Sequence, residues 1–593
     1  MAQLVLGPIL RHVEQSGATV WVETDGPCEV EVLGTRATTF HVEGHHYALI
    51  ELSGLAPGET YEYEVLLDGA AVWPPAASRF PPSVIRTLDR DRVRLVFGSC
   101  RVSLPHHPPY TLDPSEHPEA QGIDALRALG LRMIDSPSEG WPDCLLMLGD
   151  QVYADDLSPA MREFTDARHG EGVPPDELED FDQYALAYRE AWGEPVIRWL
   201  LSTIPSAMIF DDHEIHAQWK ISHAWLERMR AQPWYDRRIS GGLMAYWIYQ
   251  HIGNLSLSEL ESHDILERVR QAEDGGTVLR EEMVGADRQP GHSRWSFSRD
   301  LGDVRLVVID SRAGRELEPG RRQMIDDGEW DWVAERASGD FEHVLLASSV
   351  PFFLPPGLHY CEALGEAVAD GAWGDAPARL AERLRQSGVM DHWAAFQDSF
   401  HRLASLLEDL SAGRGGRAPA SVVMLSGDVH HCYLAEVGFR RQAGVRSAVW
   451  QAVCSAYRKE LRPREKAVMK LGSTRTSAAI NRRLAHAAGV KDPPLAWRLV
   501  HRPSYENQVA TLEATPGSSH VRVETTAGSD WREPRLHTVF EQQLVGQPPS
   551  QPSEAPAGGG SAGRKVRAQT ANRVPASPST SASGLPTIRS KKQ

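Results

Sequence analysis

The chain has 593 residues, and 62 Lys+Arg against 80 Asp+Glu give it a formal charge of −18. At roughly 150 residues per domain this allows two to four domains, and 41% hydrophobic with 24% charged residues excludes a disordered chain. The acidity argues against general nucleic-acid binding, no run of about 18 apolar residues offers a transmembrane helix, and six cysteines are too few for a disulfide scaffold.

The opening residues, MAQLVLGPILRHVEQ, lack the basic and apolar stretches of a secretory signal. A cytoplasmic protein is expected, with export as the alternative if a leader was trimmed. Residues 1–88 read as all-β. Segments such as ATVWVE, CEVEVLG, HYALIELSGL and TYEYEVLLDG alternate apolar and polar positions between turn signals at Asp25-Gly26-Pro27, Ala56-Pro57-Gly58 and Asp68-Gly69. The spacing predicts a small sandwich of the fibronectin type III kind, and Leu55–Tyr63 resembles the corner of such domains.

From 89 the pattern changes to near-continuous apolar runs, as strands covered on both faces require. These runs start at Arg94, Asp143, Ile204, Val304, His343 and Ser421. Helical spacing between them, as in IDALRALGLRMI and PARLAERLRQ, predicts an α/β domain over 89–544 built on a pair of stacked sheets. The aromatic residues Trp219 and Trp225 and the segment 244–251 predict core packing, with an apolar cleft wall as the alternative. Within the domain, 458–502 holds twelve Lys/Arg against Glu460, Glu465 and Asp492. A solvated face is expected there; a phosphorylated substrate or anionic membrane surface is the alternative. Residues 545–593, rich in Pro, Ser and Gly with seven Lys/Arg against Glu554, predict a disordered basic tail.

Chemistry gathers at the strand ends, where open α/β sheets place ligands. Ser99-Cys100-Arg101 follows the first run and Gly149-Asp150-Gln151-Val152-Tyr153-Ala154-Asp155-Asp156 the second. Asp211-Asp212-His213-Glu214 ends the third, and Gly427-Asp428-Val429-His430-His431 the sixth. So many carboxylates converging on one crevice would repel one another. Hard oxygen ligands with imidazole, thiolate and phenolate point to a multi-metal hydrolytic centre.

These motifs (FGSCR at 97–101, GDQVYAD at 149–155, DDHE at 211–214 and LSGDVHH at 425–431) resemble those of the alkaline phosphatase D, or PhoD-like, family of calcineurin-like metallophosphoesterases. Weaker echoes are Asp310-Ser311-Arg312 and the segment DHWAAFQDSFHRL from 391, and the likeness spans roughly 89–460. The resemblance implies a four-layer αββα sandwich behind the β-rich region. It implies Cys100 and Tyr153 as iron ligands, Asp150 as the bridging carboxylate, and Asp212, Asp428 and His430 as further metal ligands. His213 would be catalytic. From their own chemistry, Arg101 is a catalytic candidate and Arg312 an additional one, as phosphate clamps or equally as structural ion pairs. His431, to bind or to pack, and Asp211, as an orienter of His213, are further candidates. Iron with calcium is implied, with Mn, Zn or Mg as substitutes. The expected activity is hydrolysis of a phosphodiester or phosphomonoester by in-line attack of a metal-bound hydroxide on a small phosphorylated substrate. A phospholipase-type diesterase at an anionic membrane surface, or a non-catalytic metal-stabilised binding protein, are the alternatives. Oligomeric state is not legible.

Overall fold

A computed structural model describes residues 1–88, 91–168, 174–388, 390–439 and 444–546. The tail expected over 545–593 lies, from 547 on, outside the described residues. The N-terminal region is all β. One sheet joins Leu4–Val13, Gly17–Thr24, His45–Ser53 and Phe40–Val42, and another joins Thr35–Thr38, Glu29–Val32, Val65–Leu67 and Ala70–Trp73. Alternation along Gly17–Thr24 buries both of its faces. Val20 and Val22 enter a small core with Val30, Ile50 and Val65. Trp21 faces the opposite way, onto Tyr47 and Tyr249 at centroid distances of 5.8 and 5.1 Å.

The strand Leu4–Val13 lies outside the segments that alternation marks, and it ties the N-terminal region to the rest of the chain. Its fully buried Arg11 donates to Ser206 Oγ, the Gln250 carbonyl and Asn254 Oδ1. Both terminal nitrogens of the guanidinium have exchanged water for protein acceptors, which holds the N-terminal region to the region that follows.

That region is mixed α/β. The strands of its two large sheets, in chain order, are β1 (Val93–Gly98), β2 (Cys144–Leu148), β3 (Ser206–Ile209), β4 (Phe297–Leu301), β5 (Val304–Ile309), β6 (His343–Ser348) and β7 (Ser421–Ser426). They continue with β8 (Tyr433–Phe439), β9 (Ala448–Val453), β10 (Leu495–Leu499), β11 (Gln508–Thr515), β12 (Ser518–Thr525) and β13 (His537–Val545). One sheet has the order β3-β2-β1-β11-β12-β13, parallel from β1 to β3 and antiparallel beyond. The other has the order β4-β5-β6-β7-β9-β8-β10, with β5, β6, β7 and β9 parallel. Leu306, Leu345, Val423 and Trp450 stand side by side across those four strands. Leu146, Met208, Leu306 and Val423 share one apolar core, so both sheets contribute to it.

The two helical segments marked by spacing are helices, at Ala125–Ile134 and Asp375–Ser387. Trp219, Trp225 and Trp247 are buried in the same core, so these aromatics pack and do not wall a cleft. No helix among the described residues is long and apolar enough to cross a membrane.

Candidate metal centre

The parallel strands β1, β2 and β7 end in abrupt turns. Cys100, Asp150, Asp428 and His430 have φ of 57°, 53°, 63° and 50°, the left-handed region that non-glycine residues avoid. Each such residue costs on the order of 1–3 kcal/mol, and four together at one place mark a site whose surroundings enforce the conformation. The glycines just before two of them let the strand ends close up. A Cβ on Gly149 would stand 2.5 Å from the Asp211 Cβ, and one on Gly427 would stand 2.3 Å from Ser99 Oγ. Hydrogen bonds stitch the ends together. Cys100 N–H donates to the Gly149 carbonyl (3.1 Å), Arg101 N–H to that of Asp150 (3.1 Å), and Asp428 N–H to Ser99 Oγ (3.0 Å).

Two groups of donor atoms result. Those of Cys100, Asp150 and His430 lie within 4.8 Å of one another, and so do those of Asp150, Asp211 and Asp428. Asp150 belongs to both. It is fully buried, and neither of its carboxylate oxygens accepts a hydrogen bond. Burial first, then Asp212 and Asp428, push its pKa up to about 6, against the opposing His213. The buried Tyr153 hydroxyl also lacks a hydrogen-bond partner, and it sits with Cys100 and Asp150 beside it. Asp211 Oδ2 is a fourth buried oxygen without one. Burial, helped by Lys459, lowers His430 to about 3 and keeps its imidazole neutral. Burial and the charges of Asp150 and Asp428 hold the Cys100 thiol well above its ordinary range. A protein does not bury unpartnered carboxylate oxygens without compensation. Cations would supply it, and would also draw the protons from the thiol and the phenol, so this donor set fits metal ions.

The remaining sequence candidates fall around this pair of groups. Asp212 accepts from Gln218 N–H at 2.5 Å and faces Arg312 Nη2 at 3.3 Å; Asp211, its neighbour, is the one whose oxygen joins Asp150 and Asp428. Asp211 does not orient His213. That role falls to Asp155, which accepts from His213 Nδ1 at 2.7 Å and from Ala217 N–H at 2.7 Å. Burial disfavours the His213 imidazolium, yet Asp155 and Asp212 raise it to about 10. Asp156 pairs with Lys459. The Arg101 guanidinium donates to Asp124 Oδ2 (2.8 Å) and the Ala191 carbonyl (2.6 Å), a buried ion pair. Arg312 is fully buried among carboxylates. It bonds Asp211 and Asp391 and faces Asp212 and, at 3.8 Å, Asp428. His431 donates Nδ1–H to the Val429 carbonyl at 2.6 Å and stacks between Tyr433 and Tyr505.

Four participants carry no assignment in the sequence reading. His392, held by Glu362, faces Asp428, Asp391 pairs with Arg312 and Arg315, and Lys459 lies 4.0 Å over the Tyr153 ring. The signal for the first was present, since the segment starting at 391 opens with Asp391-His392.

Residues 130–324 match the family model described as PhoD-like phosphatase, and residues 1–85 match one described as a domain of unknown function, DUF7800. No curated protein matches the chain. A solved structure of PhoD shares the fold with a TM-score of 0.55 at 12% identity, over 92% of this chain and 91% of that one. The purple acid phosphatase PPD1 from yellow lupin (Lupinus luteus) seeds aligns with a TM-score of 0.47 at 9% identity, over 91% of this chain and 74% of that one. Residues 130–324 are thus similar to the PhoD-like phosphatases in sequence, and the chain as a whole shares the fold of PhoD.

Proposed function

We propose that the chain hydrolyses the phosphomonoester or phosphodiester of a small phosphorylated substrate at a centre of two or more cations. Cys100, Tyr153 and His430 would hold one cation and Asp211, Asp212 and Asp428 the other, with Asp150 between them. Thiolate, phenolate and imidazole suit iron, and the all-oxygen set suits calcium. Bound cations would lower the pKa of a coordinated water and neutralise phosphoryl oxygens. His213, its Nδ1 held by Asp155, keeps Nε2 free to give a proton to the leaving oxygen. Lys459, over the Tyr153 ring and paired with Asp156, stands where a phosphate oxygen can replace the carboxylate as its partner. We assign 1–88 as a fibronectin III-like accessory and 89–544 as a four-layer catalytic domain. In that reading, Ala56 N–H donating to Tyr61 Oη at 2.8 Å is the corner hydrogen bond of the first.

The observation that carries the reading is Asp150, a buried carboxylate common to both groups and without a hydrogen bond on either oxygen. The test is metal analysis of the purified protein together with hydrolysis of bis-p-nitrophenyl phosphate and p-nitrophenyl phosphate. Bound metal and turnover are expected, and Asp150→Asn should lower the rate by at least about 10³-fold, the equivalent of ~4 kcal/mol of electrostatic stabilisation. The ratio of the two wild-type rates ranks diester against monoester. A wild type that stays metal-free and inactive after reconstitution with iron and calcium overturns the assignment.

A further inference from the structure

The basic segment 458–502 folds into more than a solvated face. Helices α1 (Pro356–Ala369) and α2 (Asp375–Ser387) precede it in the chain, and it contributes α3 (Pro463–Gly472) and α4 (Arg475–Ala487). The α3–α4 hairpin sits on α1. Asn481 Nδ2 donates to the Gly357 carbonyl at 2.8 Å, and a Cβ on Gly357 would stand 2.2 Å from the Gly472 carbonyl oxygen. Yet α3 and α4 bury only Gly472 and Ala485 respectively.

Their outward residues are mixed apolar and cationic. Val468 and Leu471, at i and i+3, are 61% and 69% exposed; Ile480 and Leu484, at i and i+4, are 53% and 42% exposed. Nearby, the exposed Trp373 donates its indole N–H to the Ala487 carbonyl at 3.5 Å, and Leu380 and Leu384 stand exposed on α2. Seven of the ten large hydrophobic residues exposed among the described residues therefore lie in 373–384 and 468–484. A face that was merely solvated would not concentrate them. Between 463 and 491 they are interleaved with seven Lys/Arg against one acid, Glu465, in a chain of net charge −18. Arg464, Arg475, Arg483 and Lys491 are exposed cations of this stretch.

The hairpin also adjoins the metal centre. Lys470 Nζ lies 5.4 Å from the Tyr505 ring, Tyr505 stacks at 5.4 Å on His431, and His431 follows His430. At the other end, Lys459 of the same segment covers Tyr153.

We propose that the α3–α4 hairpin docks on an anionic lipid surface. Val468, Leu471, Ile480 and Leu484 enter the headgroup–acyl boundary, and the flanking Lys and Arg meet the anionic headgroups. The patch is complementary in charge to anionic headgroups and would repel the same basic face of a second copy, which selects a lipid surface over a symmetric pairing of two copies through this hairpin. The inference goes beyond the hydrolytic reading and does not depend on it.

The test is co-sedimentation of the full chain with vesicles of phosphatidylcholine alone or with phosphatidylglycerol added. Binding is expected only with the anionic lipid and should fade at high salt. Arg464→Glu, Arg475→Glu and Arg483→Glu should each weaken partition by about fivefold or more, since a surface cation contributes ~1 kcal/mol. Val468→Ser with Leu471→Ser, Ile480→Ser and Leu484→Ser should abolish it, with the melting temperature unchanged because none of the four is buried. No binding by the wild type, equal binding to both vesicles, or undiminished binding by the variants overturns the proposal. So does a concentration-dependent dimer that the serine variant dissolves in the absence of vesicle binding, which would make a second copy the occupant.

Discussion

His392 Nε2 lies 3.3 Å from Oδ2 of Asp428, the carboxylate that closes one of the two groups of candidate ligands. Glu362 holds the other side of the ring, 2.7 Å from Nδ1. Burial works against the His392 imidazolium, but Glu362 and Asp428 hold it well above the usual histidine range. Asp428, which burial alone would protonate, is kept below the usual carboxylate range by His392 and Arg312. The Glu362–His392 pair thus fixes both the ionisation and the direction of Asp428. His392→Ala should cost about 10–100-fold in metal retention or turnover, the usual loss when a ligand's supporting partner is removed. Metal per chain after dialysis, measured beside the hydrolysis rate, checks this. An unchanged metal content and rate would show that Asp428 needs no such support.

Arg312 gathers Asp211, Asp212, Asp391 and Asp428 around one buried guanidinium. Arg312→Met leaves several buried carboxylates facing each other, and loss of one partner of a buried pair costs about 3–5 kcal/mol. Arg312→Lys restores the charge without the planar fork and should recover only part of that loss. Urea denaturation of the three proteins at neutral pH reads the order directly. The expected order of stability is wild type, then lysine, then methionine.

His213 and Arg101 make different predictions although each follows the end of a strand. His213 is held by Asp155 beside the centre, so His213→Asn should lower kcat per folded molecule by about 10²–10⁴-fold, beyond any loss of folding stability from the buried pair. Arg101 pairs with buried Asp124, so Arg101→Met should destabilise the fold while kcat per folded molecule stays close to wild type. Steady-state kinetics paired with melting curves separates the two. A kcat collapse in the Arg101 variant would return that residue to the substrate.

The contrast shows what the sequence can and cannot display. An apolar run followed by Gly-Asp is legible, because a strand end must turn and a carboxylate there must face the crevice. Whether Asp211 or Asp212 joins Asp150 is not legible: the short turn of 3₁₀-helix at Asp212–Glu214 decides where adjacent side chains point. The partners of the arginines are equally hidden, since Asp124 lies 23 residues from Arg101 and Asp391 lies 79 from Arg312. The N-terminal region follows its alternation well, but its hold on the α/β region rests on Arg11, in a strand whose run Leu-Val-Leu-Gly-Pro-Ile-Leu does not alternate.

His359, in α1 beneath the hairpin, gives the chain an acid sensitivity that is separate from the metal centre. Its ring is buried against Phe400 and Trp497, both at 4.7 Å between centroids, and its Nδ1 has no hydrogen-bond partner. Burial, with a smaller contribution from His401, lowers its pKa from 6.5 to about 3. Above pH 6.5 the ring is neutral in the folded and unfolded chains alike and costs nothing. Below 6.5 the unfolded chain takes up a proton that the folded chain refuses, so stability falls as pH falls, down to the folded-state value near 3. At pH 5 this amounts to about 2 kcal/mol. His359→Leu removes the titrating ring while keeping an apolar side chain in the pocket. Urea denaturation of both proteins at pH 7 and pH 5 should therefore show the wild type losing about 2 kcal/mol more than the variant between the two. Equal losses would mean that His359 accepts its proton in the folded chain, and that the contact with Phe400 and Trp497 opens to let it.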